Sequence, residues 1–389
     1  MPGAPEALRK LVGRYDPAVF EQGRARFRIR LAVAEGGAWD AVIEDGVARL
    51  EDAGEERPDA LLTADTPTWS RIATDLRGGM DAFRRRRLHV RHNLHAGVGF
   101  LAATSGAHEP GRLEFRRVAG LSYLQAGAGT QVVMVHGLGG TKISMLPTVA
   151  ALAPSGFHAV SVDLPGAGDS DKPLGAPYDA RFFADAVVAF LDALGIERAH
   201  VVGNSLGGRV ALELGLRHPD RVRRLALLAP SLAWRRDRPW APLLRLVRPE
   251  LGLLQMAPRP VVEGIVRNVI PGGQDGWAAA GVDEFLRVYL TPRGRAAFYA
   301  AARQIYLEEP EGEDGFWPRL RSLSVPALFV WGRRDGLVPL AFARHVSEAV
   351  PAAEHLELDC GHVPQMERPR KTHDAIARFF AAHTSLSAS

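Results

Sequence analysis

The chain has 389 residues, 47% of them hydrophobic and 24% charged, which is room for two or three domains with sizeable cores. Its formal charge is +4 and its pI near 9.4, yet only four of the 48 cations are lysine. Arginine never deprotonates and so lifts the pI at small net charge, and acidic residues share the same segments, so no nucleic-acid partner is expected. One cysteine, Cys360, excludes an internal disulfide framework and a multi-cysteine metal cluster. The N-terminal residues lack the apolar core of a secretory signal, and no uncharged apolar run approaches the ~18 residues of a membrane span. The chain reads as soluble and cytoplasmic, without stable membrane insertion.

In chain order, Arg26-Phe27-Arg28-Ile29-Arg30-Leu31 alternates arginine with apolar residues. Period two predicts a strand with one face buried and the other wet. Gly36-Gly37 is a turn, Trp39 to Glu44 a return strand, and Asp45-Gly46 a hairpin signal before Val47-Ala48-Arg49-Leu50. Ala60-Leu61-Leu62-Thr63 is a fourth extended piece. Thr66-Pro67 then opens a helix through Trp69, Ile72 and Leu76 that Gly78-Gly79 stops. A meander of strands followed by helices predicts a small α+β domain over residues 1–105.

Glu44-Asp45-Gly46, Pro58-Asp59-Ala60-Leu61, Gly78-Gly79-Met80-Asp81 and Leu88-His89-Val90 before a closing helix resemble the sterol-carrier-protein lipid-binding family over roughly residues 20–105. The resemblance implies an apolar tunnel between sheet and helices, with a lipid or acyl-chain ligand in this domain. The alternative is a filled core, kept for stability or assembly. The run Arg84 to Arg87 is read as a solvated helix end, with a phosphate or anionic-lipid contact as the sharper alternative.

A turn-rich linker, residues 106–112, leads into a longer α/β part. Short apolar runs at Gln131–Val135, Ala159–Val162, His200–Val202, Leu225–Leu228 and Ala327–Val330 alternate with helical stretches. That pattern predicts a mostly parallel, doubly wound sheet covered on both faces, with core segments 113–231 and 321–389. Residues 232–320 break it with helices at Pro242–Val247, Val261–Val269, Val282–Tyr289 and Arg293–Ile305, a helical cap. Trp234, Trp240, Leu243, Leu244, Leu246 and Val247 give the start of the cap an apolar side, toward the core or toward substrate.

The central motif is Gly203-Asn204-Ser205-Leu206-Gly207-Gly208, set between the strand His200–Val202 and the helical run Arg209–Leu214. Strand, tight turn and helix is the context in which G-x-S-x-G exposes a serine hydroxyl at a sheet edge. The loop His136-Gly137-Leu138-Gly139-Gly140 follows another strand and lets backbone N–H groups approach a substrate oxygen. The N–H groups of Leu206 and of Leu138 (or Gly137) are the oxyanion-hole candidates, with His136 bracing the loop. A serine needs a base, and the base needs a carboxylate. Asp335 and His362 each follow an apolar strand, in the chain order Ser…Asp…His.

These residues carry a resemblance to the α/β-hydrolase superfamily over about residues 113–383, supported by Asp163-Leu164-Pro165-Gly166-Ala167-Gly168-Asp169-Ser170, Val325-Pro326 and Glu367-Arg368-Pro369. It implies Ser205 as nucleophile, His362 as base and Asp335 as its orienting carboxylate. Relatives that are haloalkane dehalogenases or epoxide hydrolases place Asp at the elbow, which Ser205 excludes. Asp237 is a secondary candidate for the acid, and Cys360 is a packed bystander. No cofactor or metal is expected, since neither metal-ligand spacing nor a P-loop or dinucleotide fingerprint is present.

Cap and N-terminal resemblance together lead to the expectation of a small-molecule carboxylic ester with a medium or long acyl chain, cleaved through an acyl-enzyme. The alternatives are hydrolytic C–C cleavage of dienoic keto acids, and a lipid-binding or acyl-transfer protein. Gly-Asn-Ser at the elbow is common among the C–C hydrolases, although many of them carry Trp directly after the histidine, where this chain has Val363.

Overall fold

The structure, a computed structural model, describes residues 3–21, 26–73, 82, 85, 87–106, 111–234, 241–246, 248–254, 258–261 and 276–382. Two compact units emerge: Met1–Arg116 with Ala257–Leu290, and Arg117–Met256 with Thr291–Ser389. The expected cap, residues 232–320, is therefore divided between them rather than forming one body.

In the first unit, β1 (Arg26–Val33), β2 (Ala38–Glu44), β3 (Val47–Asp52), β4 (Ala60–Ala64) and β5 (Leu88–Arg91) form a sheet of order β3-β2-β1-β4-β5. Asp45 and Gly46, at φ +50° and +76°, make the two-residue turn that sets Glu44 opposite Val47. The meander expected from the sequence ends at β3. β2 already occupies one edge of β1, so β4 takes the other and runs parallel to it, Ile29 against Ala60.

Arg26 at the start of β1 is exposed, but at Arg28 and Arg30 the arginine face is not wet, which corrects the period-two reading there. Pairing with β2 sets Arg30 opposite Asp40, whose side chain is buried. Arg30 Nε lies 2.7 Å from Asp40 Oδ1, and Arg28 Nη1 lies 2.9 Å from Oδ2. Burial by itself would raise this carboxyl, but the two guanidinium groups hold it below its ordinary value.

The helix Leu94–Ala103 is buried along its whole length. Two glycines permit this: a Cβ on Gly99 would stand 2.6 Å from the Phe20 ring, and one on Gly97 would stand 2.6 Å from Val90. Asn93 caps the helix by accepting the Ala96 N–H at 2.9 Å, and Glu284 accepts the Leu94 N–H at 3.1 Å. Glu284 lies on the helix Gly276–Tyr289 beside Asp283, which takes Arg91 Nε at 2.6 Å and the His92 N–H at 3.0 Å. These bonds explain why that stretch of the expected cap clusters with the N-terminal residues. Leu76, Gly78-Gly79, Arg84 and Arg86 lie outside the described residues; Arg85 and Arg87 are exposed.

The second sheet has the order β13-β12-β11-β10-β8-β9-β7-β6, built from β6 (Glu114–Val118), β7 (Leu121–Ala126), β8 (Thr130–Val135), β9 (Phe157–Val162), β10 (Ala199–Asn204), β11 (Val222–Leu228), β12 (Ala327–Gly332) and β13 (Glu354–Leu358). β8 to β13 are parallel, and β7 is antiparallel to β9. Val132 to Val135, Val201, Val202 and Leu225 to Leu228 are fully buried without alternation, as strands covered on both faces must be. From β8 the chain steps to β9 on one side, then returns to β10 on the other. The reversal opens a crevice above the carboxyl ends of β8 and β10, the usual ligand position in such sheets.

Within this unit two of the expected cap helices appear, as Ala241–Leu246 and Pro292–Leu307, and a short helix that was not expected, Phe316–Leu320, follows them. Leu243 and Leu246 are 54% and 80% exposed, so of the two readings of that apolar side, toward the core or toward substrate, these two residues do not fit the first. Trp240 and Val247, and most of the expected helix Val261–Val269, lie outside the described residues. Among the described residues no helix is long and apolar enough to cross a membrane.

Candidate active site

β10 is buried at every position and delivers Ser205 to the crevice at φ +54° and ψ −117°, a conformation costly for a residue with a side chain. The turn closes only because its neighbours are glycine. A Cβ on Gly203 would stand 2.3 Å from Gly207 O, and one on Gly207 would stand 2.1 Å from Val135 O. The Ser205 N–H donates to Leu228 O at 3.0 Å, and Ser205 O accepts the Ser231 N–H at 2.9 Å, holding the strained turn from both sides. Ser205 is half-buried. Leu206 opens the helix Leu206–Arg217, whose first N–H groups have no intrahelical acceptor.

The glycine loop after β8 lies directly over this turn: a Cβ on Gly137 would stand 3.1 Å from Ser205 Cβ. Gly137 O accepts the Gly140 N–H at 3.0 Å and contacts His136 Nδ1 at 2.8 Å. In a trans peptide the Leu138 N–H points opposite to that carbonyl, and among the described residues no cis peptide is present. His136 is buried and accepts the Leu164 N–H at Nε2 (3.1 Å), so its proton sits on Nδ1 and points to Gly137 O. Burial lowers its pKa, and the neutral ring braces the loop with both nitrogens.

Asp335 follows β12, and its side chain is inaccessible. Its Oδ1 accepts the N–H groups of Leu337 (2.8 Å) and Val338 (2.9 Å), while Oδ2 takes His362 Nδ1 at 2.8 Å. His362 therefore presents Nε2 away from the carboxylate. Asn204 Nδ2 donates to Leu228 O at 2.9 Å and to His362 O at 3.2 Å, which joins the histidine loop to the elbow. Contacts thus bring Gly137, Asn204, Ser205, Asp335 and His362 into one place. Asp237 lies outside the described residues. Cys360 is buried, its thiol pushed up to about 11 chiefly by burial, so it is not a thiolate at neutral pH.

Several supporting groups escaped the sequence reading. Lys142 is fully buried, with Nζ 2.6 Å from Asp163 Oδ2 and 3.3 Å from Asp169 Oδ2, and its N–H donates to Asp163 Oδ1 at 2.6 Å. Burial alone would raise the Asp163 carboxyl, but the facing ammonium holds it below its ordinary value. This pair ties the glycine loop to the loop after β9; its signal was one of only four lysines beside a glycine-rich turn. Glu367 accepts the N–H groups of Gly361 at 2.7 Å and Val363 at 3.1 Å. On the elbow helix, buried Arg209 meets Glu213 at 2.9 Å as well as Glu308, and lies over the Phe316 ring. A cavity of about 200 Å³ opens beside that network, lined by Tyr178, Leu206, Arg209, Gln304, Phe316 and Arg319 among others. Among the described residues no three His, Cys, Asp or Glu side chains gather as a metal site.

A strained serine between a parallel strand and a helix, under a glycine loop and joined through Asn204 to a histidine–aspartate pair, is the arrangement expected of a serine hydrolase. The model of the alpha/beta hydrolase fold matches residues 130–269. A 2-hydroxy-6-oxononadienedioate/2-hydroxy-6-oxononatrienedioate hydrolase of Paraburkholderia phymatum is 30% identical over 273 residues, 66% of this chain and 89% of that protein. The chain belongs to the alpha/beta hydrolase family and is a hydrolase. A 2-hydroxymuconate semialdehyde hydrolase of a Pseudomonas species is 27% identical, covering 66% of this chain and 88% of its own. In fold, a hydrolase from Pseudomonas aeruginosa superposes with a TM-score of 0.57 at 23% identity, over 70% of this chain and 99% of that one. These relatives overturn the expectation of carboxylic-ester cleavage, because they are named for keto-acid and semialdehyde substrates instead.

Proposed function

We propose that the protein hydrolyses a C–C bond in a dienoic keto acid. The relative that shares 30% identity over 89% of its length carries this reading. A C–C bond next to a ketone breaks hydrolytically only when the departing electron pair is delocalised. In a 2-hydroxy-6-oxo-dienoate, moving the enol proton to C5 converts C2 to a ketone conjugated with the remaining double bond. Addition of water at the C6 carbonyl then allows the C5–C6 bond to break, its electron pair passing through the conjugated chain to the C2 oxygen. One carboxylic acid and one 2-hydroxy-dienoic acid result, with water supplying OH to the first and H to the second.

In this reading Ser205 lies under the C6 carbonyl, and His362 Nε2 moves protons between Ser205, water and the departing carbon. Asp335 holds the imidazole with Nδ1 protonated, and the N–H groups of Leu206 and Leu138 receive the developing oxyanion. Residue 363 is valine rather than tryptophan, so the wall beyond the histidine is smaller than in many such enzymes.

The experiment is incubation with 2-hydroxy-6-oxo-dienoic acids, following loss of the dienol absorbance and identifying both acids by mass spectrometry, with Ser205→Ala as control. No consumption by wild-type protein whose Ser205 still reacts with a fluorophosphonate would reject the reading. The resemblance of residues 20–105 to sterol-carrier proteins, with a lipid or acyl-chain ligand there, rests on its motifs alone and is tested by fatty-acid titration of the full chain.

A further inference from the structure

We propose that Glu367 is a positioning residue for His362, a carboxylate clamp that acts by holding the backbone on both sides of the histidine. This rests on His362 being the base, as proposed above, but not on the identity of the substrate.

Three observations converge on the loop. The two oxygens of Glu367 are divided between the residues flanking His362: Oε2 accepts the Gly361 N–H at 2.7 Å and Oε1 the Val363 N–H at 3.1 Å. Gly361 leaves room for this, since a Cβ there would stand 3.0 Å from Oε1 and 3.3 Å from Oε2. On the opposite side His362 O accepts Asn204 Nδ2 at 3.2 Å. The loop is also closed against β12, where a Cβ on Gly332 would stand 2.0 Å from Gly361 O and Cys360 O accepts the Arg334 N–H at 2.9 Å.

Helix capping alone does not account for Glu367. Reaching back to the Val363 N–H would cap the short helix Pro364–Glu367, but that leaves the bond to Gly361, on the far side of the histidine, without a purpose. A charged acceptor shared by two N–H groups makes strong hydrogen bonds. With both flanking N–H groups and its own carbonyl held, His362 keeps little freedom beyond rotation of its side chain, and Asp335 fixes that at Nδ1. An imidazole must stand within about 0.5 Å and 10–20° of its working position, and misplacement by about 1 Å can cost 10²-fold in rate.

The test compares Glu367→Ala, Glu367→Gln and Gly361→Ala in the full chain by their rate of Ser205 phosphonylation with a fluorophosphonate, which needs an aligned base but no particular substrate. Glu367→Ala is expected to react about 100-fold more slowly. Gln keeps one acceptor but turns an N–H₂ toward the other amide, and is expected to fall between alanine and wild type. In phosphonylated wild type the His362 Nδ1 proton, held by Asp335, is expected to give a downfield NMR resonance that broadens or vanishes in Glu367→Ala while melting still shows a folded protein. A folded Glu367→Ala that labels within threefold of wild type and keeps the resonance overturns the proposal. Should Glu367→Ala not fold, Gly361→Ala decides, because the nearest atoms its methyl group meets are those of the Glu367 carboxylate: a tenfold or greater loss supports the clamp, and a smaller one overturns it. With a dienoic keto acid the clamp variants should lose kcat with KM within twofold. If wild type labels normally but turns over no such acid, the substrate reading fails and the clamp is still judged by labelling.

Discussion

Replacing Lys142 by methionine removes the ammonium from a pair in which neither side chain has any exposed surface. Asp163 would keep the N–H donors of Lys142 (2.6 Å) and Asp169 (2.9 Å), so the carboxylate is not wholly orphaned. Breaking one side of a buried pair costs about 3–5 kcal/mol, and the retained donors place this case near ~3 kcal/mol at neutral pH. For a unit of this size, that is a melting temperature lower by about 6–12 °C. The pH dependence carries the sign. In wild type the Asp163 carboxyl lies below its ordinary value, so its contribution is present above about pH 4, the unfolded value, and is lost as pH falls through the folded one. In Lys142→Met burial acts without its counter-charge, the folded pKa rises above the unfolded one, and the variant regains relative stability on acidification. Melting of both proteins at pH 7 and pH 5 checks this, with Lys142→Met/Asp163→Asn recovering part of the loss. A Lys142→Met protein that melts within 2 °C of wild type at pH 7, or whose deficit does not shrink at pH 5, refutes the reasoning.

Other expected outcomes follow from the same geometry. Asp335→Asn leaves His362 without an acceptor for Nδ1–H and favours the wrong tautomer, so kcat should fall by about 10⁴ with the fold retained; a loss under tenfold would remove Asp335 from its role. Gly207→Ala puts a methyl group 2.1 Å from the Val135 carbonyl, which belongs to a central strand and cannot yield; expression should give no folded, fluorophosphonate-reactive protein, and an active variant would contradict the tight turn. Cys360, buried and raised to about 11, should stay unmodified by iodoacetamide at pH 7.5, as read by intact mass, whereas rapid alkylation would show an open loop.

Much of the second unit was legible along the chain. β8, β10, β11 and β12 coincide with apolar runs because a strand covered on both faces needs no polar residue. The turn at Ser205 was legible as a motif, since Gly203 is demanded by the nearby Gly207 backbone, whereas what demands Gly207 is the Val135 carbonyl of β8, far away in the chain. The reaction was not legible. Serine, histidine and aspartate in this order serve many carbonyl substrates, and the ester expectation leaned on the cap and on the N-terminal resemblance. Nor was the role of Glu367, whose two partners lie four and six residues back and become neighbours only when the chain folds around His362.

The sequence by itself determined the class of the larger unit, the chain order of the candidate triad and the positions of the turns, each of which is carried by a short motif of residues adjacent in the chain. Only the tertiary structure decided that Arg28 and Arg30 turn inward to Asp40, that β4 runs parallel to β1, and that Ala257–Leu290 cluster with the first 116 residues. In each case the deciding partner is a buried charge or a strand edge supplied by another segment. Burying a charge is favourable only when that partner arrives, and the order of residues along the chain does not show which partner that is.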